Sequence, residues 1–328
     1  MNAECVLPCG AVLAEGPVWH QQHLYWVDIE RGEVHRWHPP SGVRRHWNFS
    51  GRVGFAVPTQ RGDFLLGQND SLVRMDLDTG ALTPFATPTG EPSGNRFNDA
   101  KCDDAGRLWA GTLSIREEPR QGTLYRVDPS GELHPVVREV SISNGLAWSP
   151  DGRTLYYIDS PTRRVDAFDF DPDSGAISGR RTVITVTDGF PDGMCADAVG
   201  HLWIALWGGW AVACHDPRTG RRLAEVRVPV EAVTSCCFGD GDTLWITTAS
   251  RDLDAAGRHL QPLAPALHRL RRRRRSRSPA PSIPRACCCS FWSCPVTRPG
   301  ATPHQRHSSA ARPRWVPARL VRGASLHG

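Results

Sequence analysis

The sequence predicts an all-β fold, a six-bladed β-propeller, followed by a C-terminal tail that does not belong to the propeller. Three observations support this prediction. Short apolar runs recur at a nearly constant interval, most are followed by a second strand pattern and a turn, and no long segment has apolar residues at helical spacing. A β-sandwich is the alternative, but a sandwich does not need a repeating period.

The recurring run has the composition of a buried strand and contains one leucine that marks each copy. The six runs are HLYWVDI, DFLLGQN, RLWAGTL, TLYYIDS, HLWIALW and TLWITTA, with markers Leu24, Leu65, Leu108, Leu155, Leu202 and Leu244. The intervals between successive markers are 41, 43, 47, 47 and 42 residues. Units of this length with several short strands are typical of propeller blades, and six of them account for residues 1–270.

A second strand pattern follows five of the runs and leads into a turn. These second patterns are EVHRWHP, SLVRMDL, TLYRVDP, RVDAFDF and AVACHDP, and the turns are rich in Asp, Pro, Ser and Gly. Such turns at hairpin spacing predict antiparallel sheets. Residues 264–270 resemble a third strand of the last blade, and residues 3–13 are apolar enough to complete that blade as an N-terminal strand.

Charge is distributed unevenly between the propeller and the tail. The 328-residue chain has a formal net charge of +5, but residues 269–328 contain 14 Arg and no acidic residue. The rest of the chain therefore has 25 basic and 34 acidic residues, so we expect no nucleic-acid binding by the propeller. Residues 271–328 lack apolar periodicity, and we expect them to be disordered. They resemble the translation of a GC-rich gene in another reading frame, with a basic arm for anionic partners as the alternative.

Targeting features are missing from the sequence. No run approaches the eighteen apolar residues of a transmembrane helix, and the first residues lack the basic and apolar regions of a signal peptide. We therefore expect a cytoplasmic protein that does not contact membranes. The seven cysteines before the tail form no CxxC pair, so we predict reduced, buried thiols and no zinc site of that type.

Polar residues occupy one register ahead of the markers. Glu15, Asn98, Asn144 and Asp192 lie 9, 10, 11 and 10 residues before the marker leucine of their own unit, whereas the second unit has the apolar segment 53–55 there. The first strand of each blade lines the channel of a propeller, so these positions converge at one mouth. Carboxylate and amide oxygens suit a hard divalent cation. Polar channel residues that hold buried water are the alternative.

Several motifs resemble the regucalcin/gluconolactonase family of six-bladed propellers. They are AEGPVW (14–19), RFNDAKCD (96–103), SNGLAWSPDG (143–152), YYIDS (156–160), PDGMCAD (191–197) and TSCCFG (234–239). The resemblance runs in the family order from residue 14 to about residue 270. TSCCFG resembles the regucalcin branch in particular.

The resemblance implies a metal-dependent lactonase. Glu15, Asn144 and Asp192 match metal ligands of the family, and Asp192 also matches its catalytic acid/base. The implied cofactor is one divalent cation (Ca²⁺, Zn²⁺, Mn²⁺ or Mg²⁺), and the implied reaction is hydrolysis of a small-molecule sugar lactone to the aldonic acid. The cation would polarise the lactone carbonyl, and a carboxylate would take a proton from water and return it to the ring oxygen.

The resemblance also implies substrate contacts. Arg96 and Asn98 match residues that contact the sugar, and Asp99 matches a second carboxylate near the attacking water. The proton acceptor is therefore Asp192 or Asp99. A substrate-contacting Glu follows the AGTL segment in the family, so Glu117 and Glu118 are both candidates, with Glu117 placed first.

Two other classes of function compete with a lactonase. A calcium-responsive regulator would use the same site without turnover, and a protein-interaction scaffold would show no metal dependence of stability. Arg96, Asn98 and Asp99 favour the lactonase, because a pure ion binder does not need them. No nucleophile elbow, P-loop or dinucleotide-binding loop occurs in the sequence. We expect the lactonase to be a monomer.

Overall fold

The computed structural model describes residues 1–271, which form six four-stranded antiparallel sheets. Strand order follows chain order in five of the sheets, so each of these is a meander, and the sheets are the blades of a β-propeller. The predicted fold class is therefore confirmed. The predictions for the tail, residues 271–328, lie outside the described residues from residue 272 onward.

The first strand of the chain, β1 (Glu4–Pro8), belongs to the last blade, so blades are numbered here by the order of their innermost strands. Blade one contains β2 (Ala14–His20), β3 (His23–Asp28), β4 (Glu33–Trp37) and β5 (Arg44–Asn48). Blade two contains β6 (Val53–Pro58), β7 (Phe64–Gln68), β8 (Ser71–Met75) and β9 (Leu82–Ala86). Blade three contains β10 (Asn95–Cys102), β11 (Leu108–Ser114), β12 (Gly122–Val127) and β13 (Leu133–Val140).

The second half of the ring repeats this arrangement. Blade four contains β14 (Ser143–Trp148), β15 (Thr154–Asp159), β16 (Arg164–Phe170) and β17 (Ile177–Thr185). Blade five contains β18 (Phe190–Ala196), β19 (Leu202–Trp207), β20 (Ala211–His215) and β21 (Arg222–Arg227). Blade six contains β22 (Val233–Phe238), β23 (Thr243–Thr248), β24 (Ala266–Arg271) and the N-terminal strand β1.

The recurring apolar runs form the second strand of every blade. These strands are buried along nearly their whole length, as in β11, because both faces of a blade pack against neighbouring blades. The fourth strands lie at the rim of the propeller, and most residues of β17 are exposed. The burial gradient explains why the sequence repeat is strongest in the second strands.

The N-terminal strand closes the ring. In blade six, β1 pairs antiparallel with β24, with Cys5 opposite His268 and Pro8 opposite Ala266. This arrangement confirms the expectation that residues 3–13 supply a closing strand and that residues 264–270 form a third strand. The two strands are far apart in sequence, so their pairing joins the beginning of the ring to its end.

Helix is confined to two loops among the described residues. A 3₁₀ turn (Ser160–Thr162) follows β15, and a single short α-helix, α1 (Ala255–Leu260), lies between β23 and β24. The side chain of Asp254 caps α1 by accepting a hydrogen bond from the backbone N–H of Gly257 at 2.7 Å. Within residues 1–271, no helix combines the length and apolarity that crossing a bilayer requires.

Each first strand has a register shift near its middle. The shifts fall between Glu15/Val18, Val53/Ala56, Phe97/Ala100, Ser143/Leu146, Pro191/Met194 and Val233/Ser235. A bulge adds a residue on one strand and redirects its side chains. The polar residues of the predicted register lie at or inside these shifts, which turn them toward the channel.

Glycines let neighbouring first strands approach each other. A Cβ atom on Gly145 would lie 2.7 Å from the backbone oxygen of Asp192, and one on Gly193 would lie 2.1 Å from the Oγ atom of Ser235. Both distances are too short for a carbon atom. The Asn-Gly and Asp-Gly pairs of blades four and five therefore serve close packing around the channel.

Candidate active site

The structure brings the four polar residues of the predicted register to one cavity at a mouth of the channel, the mouth cavity. Its volume is about 260 Å³, and Glu15, Asn98, Asn144 and Asp192 reach it from blades one, three, four and five. Each of the four residues has at most 9% of its surface exposed. Residues 53–55 of blade two do not line this cavity, in keeping with their apolar character.

Other residues complete the wall of the mouth cavity. Arg96 and Glu117, both predicted to contact substrate, are part of this wall. The remaining lining residues form a mostly apolar border with a few polar groups: Leu13, Ile29, Leu113, Ile142, Ser160, Pro161, Phe190, Trp207, Arg251 and Asp252. A concave apolar wall with a few convergent polar groups is the usual form of a small-molecule site.

A hydrogen-bond network fixes both amides. The Nδ2 group of Asn98 donates to Oδ1 of Asn144 at 2.9 Å, and the Nδ2 group of Asn144 donates to Oγ of Ser160 at 2.8 Å. Arg96, 4% exposed, donates from Nη1 to Oδ1 of Asn98 at 2.7 Å. Because each amide nitrogen is engaged, the amide oxygens have a defined direction. A carbonyl oxygen has two lone pairs, so Oδ1 of Asn144 can accept a second partner.

The two carboxyl groups of the mouth cavity, Glu15 and Asp192, have raised pKa values. Burial raises the pKa of Glu15 well above its usual value, and the negative charges of Asp192 and Asp99 raise it further. Burial and the charge of Asp99 likewise raise the pKa of Asp192. Arg96 lowers the pKa of Glu15, and Arg251 lowers that of Asp192, but neither offsets the rise. The site therefore concentrates negative charge that its own cations do not neutralise.

Asp99 lies on a different wall from its neighbour Asn98. It lines a second cavity of about 100 Å³, the far cavity, together with Lys101 and other residues of the first strands. Burial raises the pKa of the Asp99 carboxyl, while Lys101 lowers it. Asp99 is not part of the mouth-cavity wall, but it is close enough to act electrostatically on both Glu15 and Asp192.

The structure separates the two glutamates that follow the AGTL segment. Glu117 lines the mouth cavity and forms an ion pair with Arg251, which lies on the loop after β23. Glu118 is exposed, is not part of the cavity wall and approaches Arg116 only at 4.0 Å. Of the two candidates, Glu117 is therefore the one positioned at the cavity.

Arg251 and Ser160 line the cavity, although the sequence-based prediction gives neither of them a role. Both follow second strands, Ser160 after β15 and Arg251 after β23. The end of a second strand pairs with the start of a first strand, as Asp159 does with Ser143. Residues just after the recurring runs are therefore at the mouth, and this position in each repeat is the signal that could have found them.

The oxygen donors of the mouth cavity fit a hard divalent cation. Glu15 and Asp192 supply negative charge that is otherwise uncompensated, and Asn144 supplies a neutral oxygen whose direction is fixed by Asn98 and Ser160. Carboxylate and amide oxygens are ligands that Ca²⁺ and Mg²⁺ accept. All three donors are on bulged strands of a closed ring, so their positions are set by the fold.

The fold and the cavity together define a six-bladed propeller with a cavity of convergent polar side chains at one mouth of its channel. The chain belongs to the SMP-30/gluconolactonase/LRE-like family, whose model matches residues 13–250. This match confirms the resemblance inferred from the sequence motifs.

Known proteins share the whole propeller with this chain. Regucalcin of Danio rerio is 40% identical over 275 residues, which cover 80% of this chain and 92% of the relative. A Bacillus subtilis protein, YvrE, provisionally named a sugar lactone lactonase, is 37% identical over 273 residues, 81% of this chain and 94% of its own. The solved structure of Agrobacterium tumefaciens regucalcin, described as a calcium-binding protein, has a TM-score of 0.78 and 28% identity, covering 82% of this chain and 94% of that one.

Proposed function

We propose that the protein hydrolyses a sugar lactone to the corresponding aldonic acid with the help of one divalent cation. The observation that supports this proposal most directly is the meeting of Glu15, Asn144 and Asp192, from three blades, in one buried cavity beside Arg96 and Asn98. The family relationship supports the same reaction class.

Glu15, Asn144 and Asp192 would hold the cation, and the candidates are Ca²⁺, Zn²⁺, Mn²⁺ and Mg²⁺. When bound, such a cation supplies a Lewis acid that polarises the lactone carbonyl. Its charge is balanced by the two carboxylates, while Asn144 adds an oxygen without adding charge. Lactones are activated esters, so their hydrolysis needs no strong protein nucleophile.

Asp192 is the proposed proton-transfer group. It takes a proton from the attacking water and returns it to the ring oxygen when the carbon–oxygen bond of the lactone breaks. A nearby cation lowers the pKa of a carboxyl and weakens it as a base, whereas burial and the charge of Asp99 raise the pKa of Asp192. Asp99 thus supports the basicity of Asp192 from the far cavity, without touching substrate.

The sugar is proposed to bind through the polar groups around this centre. Arg96 donates from Nη1 to Oδ1 of Asn98, and the other N–H groups of its guanidinium would donate to ring hydroxyls. Both N–H groups of Asn98 are already donated, to the backbone oxygen of Ser143 and to Oδ1 of Asn144, so Asn98 would contact the sugar by accepting at Oδ1. Glu117 and Arg251 are paired at the rim, where they would contact substituents that point out of the cavity.

A calcium-binding regulator without turnover is the second candidate, favoured by the similarity to regucalcin. A panel of aldonolactones, each assayed at saturating cation, distinguishes the two functions. We expect hydrolysis of at least one sugar lactone above the spontaneous rate. Tight Ca²⁺ binding with no turnover on any lactone would favour the regulator instead.

A further inference from the structure

Among the described residues, two groups of metal-ligating side chains lie outside the mouth cavity. One group is formed by Asp128, Glu132 and His134 near the protein surface, where Arg126 already pairs with Asp128 at 3.4 Å. A cation there would compete with a guanidinium group. The other group combines a carboxylate, an imidazole and a thiol in blade five, and its chemistry is more selective.

The blade-five group consists of Asp197, His201 and Cys214, whose ligand atoms all lie within 4.8 Å of one another. Asp197 and His201 bound the turn between β18 and β19, and Nδ1 of His201 lies 3.3 Å from Oδ2 of Asp197. Cys214 lies on β20 and is 3% exposed. The side chain of His201 is 27% exposed, so an ion can reach the group from solvent while the thiol side is closed.

The equivalent turn of blade three shows what is unusual here. That turn begins at Asp103 and places Arg107 where blade five has His201, and Nε of Arg107 donates to Oδ2 of Asp103 at 2.7 Å. In both blades a tryptophan indole also donates to the aspartate. The aspartate of blade three is therefore neutralised by a permanent cation of the protein, whereas that of blade five is paired with an imidazole.

The third strands of blades three and five differ in a similar way, because an arginine of blade three is again replaced in blade five by a residue that can coordinate a metal ion. On β12, Arg126 lies opposite Trp109, and on β20 the corresponding position opposite Trp203 is Cys214. Two arginines of blade three are thus replaced in blade five by a histidine and a cysteine. Both replacements exchange a fixed positive charge for a side chain that coordinates metal ions.

We propose that Asp197, His201 and Cys214 form a second metal site that takes Zn²⁺ or a similar divalent transition ion. A thiolate with an imidazole and a carboxylate is a typical donor set for Zn²⁺ and a poor one for Ca²⁺ or Mg²⁺. On binding, the thiol of Cys214 gives its proton to solvent, and water occupies the remaining position. The site joins the β18–β19 turn to β20 and so stabilises blade five.

This site is separate from the mouth cavity. Asp192 lies near the start of β18, whereas Asp197 follows its end, five residues and about 17 Å further along the chain at 3.3 Å per residue. The predicted consequence is a metal effect on stability that does not depend on the ligands of the mouth cavity.

Cobalt(II) absorption tests the proposal, because a thiolate ligand gives a sulfur-to-cobalt charge-transfer band that oxygen ligands cannot give. The variants are made in the full chain with the four tail cysteines changed to serine, so that they add no sulfur ligand: Cys287, Cys288, Cys289 and Cys294. We expect saturating Co²⁺ to produce the band in the parent protein. Asp192→Asn should keep it, and Cys214→Ser should lose it.

His201→Arg is the matched control for folding, because it copies the arrangement of blade three. We expect it to lose the band and to keep the thermal unfolding midpoint of the metal-free parent protein. Zn²⁺ should raise that midpoint in Asp192→Asn and fail to raise it in the Asp192→Asn/His201→Arg double variant. These measurements require no lactonase activity, so they do not depend on the proposed function.

Three results with Co²⁺ would overturn the proposal. Absence of the band in the parent protein at saturating Co²⁺, or its survival in both Cys214→Ser and His201→Arg, excludes this site. The sulfur atoms of Cys195 and Cys236 are 3.6 Å apart and could also bind Co²⁺. Loss of the band in Cys236→Ser but not in Cys214→Ser would assign the band to that pair and exclude the proposed site.

Discussion

The two cavities of the central channel both contain buried carboxylates, but their surroundings differ. In the far cavity, Asp99 has Lys101 as a neighbour, and the Nζ group of Lys101 also donates to the backbone oxygen of Met194 at 2.9 Å. In the mouth cavity, the charge of Asp192 raises the pKa of Glu15, and the charge of Asp99 raises the pKa of both carboxyls. Lys101 offsets part of the electrostatic cost of Asp99, whereas Glu15 and Asp192 face further carboxylates, an arrangement that favours a cation from outside. This difference in charge is why the proposed function is assigned to the mouth cavity.

The largest expected effect is a difference in kcat between a variant of the mouth cavity and a variant of the far cavity. Asp192→Asn should lower kcat for lactone hydrolysis by at least about 10²-fold, because the amide cannot transfer a proton. Asp99→Asn should lower it much less, because Asp99 lines only the far cavity. Steady-state kinetics of both variants at saturating cation measure the difference. Equal losses, or a larger loss in Asp99→Asn, would move the proton-transfer role to Asp99.

A smaller effect tests the electrostatic link between the two cavities. The charge of Asp99 raises the pKa of Asp192, so removing that charge in Asp99→Asn should lower the pKa of Asp192. The acidic limb of the kcat/KM profile should therefore move to lower pH. An unchanged limb, measured at saturating cation, would show that Asp99 does not act on the proton-transfer group.

The rim of the mouth cavity should contribute modestly to substrate binding. Glu117→Gln is expected to raise KM a few-fold with little change in kcat, because the side chain of Glu117 is 41% exposed, whereas Glu15 and Asp192 are buried. Glu118→Gln is the matched control, and we expect it to leave both constants unchanged, since Glu118 is exposed away from the cavity. A KM effect in the control alone would reverse the assignment of these two residues.

The smallest predicted effect concerns stability without cation. The folded-state pKa of Glu15 is raised, so the native protein holds a proton that the unfolded chain has lost, and the stability contribution of this group falls as pH rises above its unfolded value of about 4.3. Glu15→Gln removes this loss. In the presence of chelator, it should raise the unfolding midpoint more at pH 8 than at pH 5. An equal change in the midpoint at pH 5 and pH 8 would mean that the pKa of Glu15 is not raised in the folded protein.

The fold could be predicted from the sequence because each blade has the same pattern of buried and exposed strands. The second strands are buried on both faces, so their composition is constrained in every copy, and the marker leucines record this. The first strands converge on the channel, so equal register implies a shared cavity. That reasoning located Glu15, Asn98, Asn144 and Asp192 at one mouth.

The rest of the site depends on loops and bulges that do not repeat in sequence from blade to blade. Arg251 lies on a loop that also contains α1, a helix with no buried residue and hence no apolar pattern to reveal it. The direction of Asp99 depends on the register shift between Phe97 and Ala100, which breaks the simple alternation of side chains along a strand. Loop contacts and bulges are set by tertiary packing, so one sequence does not show them.

Aldonolactone hydrolysis by metal-stripped protein tests the central claim most directly. Activity is measured after exhaustive chelation and again after Ca²⁺, Zn²⁺, Mn²⁺ or Mg²⁺ is added to the wild-type protein and to Glu15→Gln. We expect stripping to abolish hydrolysis and at least one cation to restore it in the wild-type protein. Restoration should be impaired in Glu15→Gln, because Gln keeps an oxygen ligand but lacks the negative charge that balances the cation. Unchanged hydrolysis by thoroughly stripped protein would contradict the claim that the mouth cavity works through a bound divalent cation.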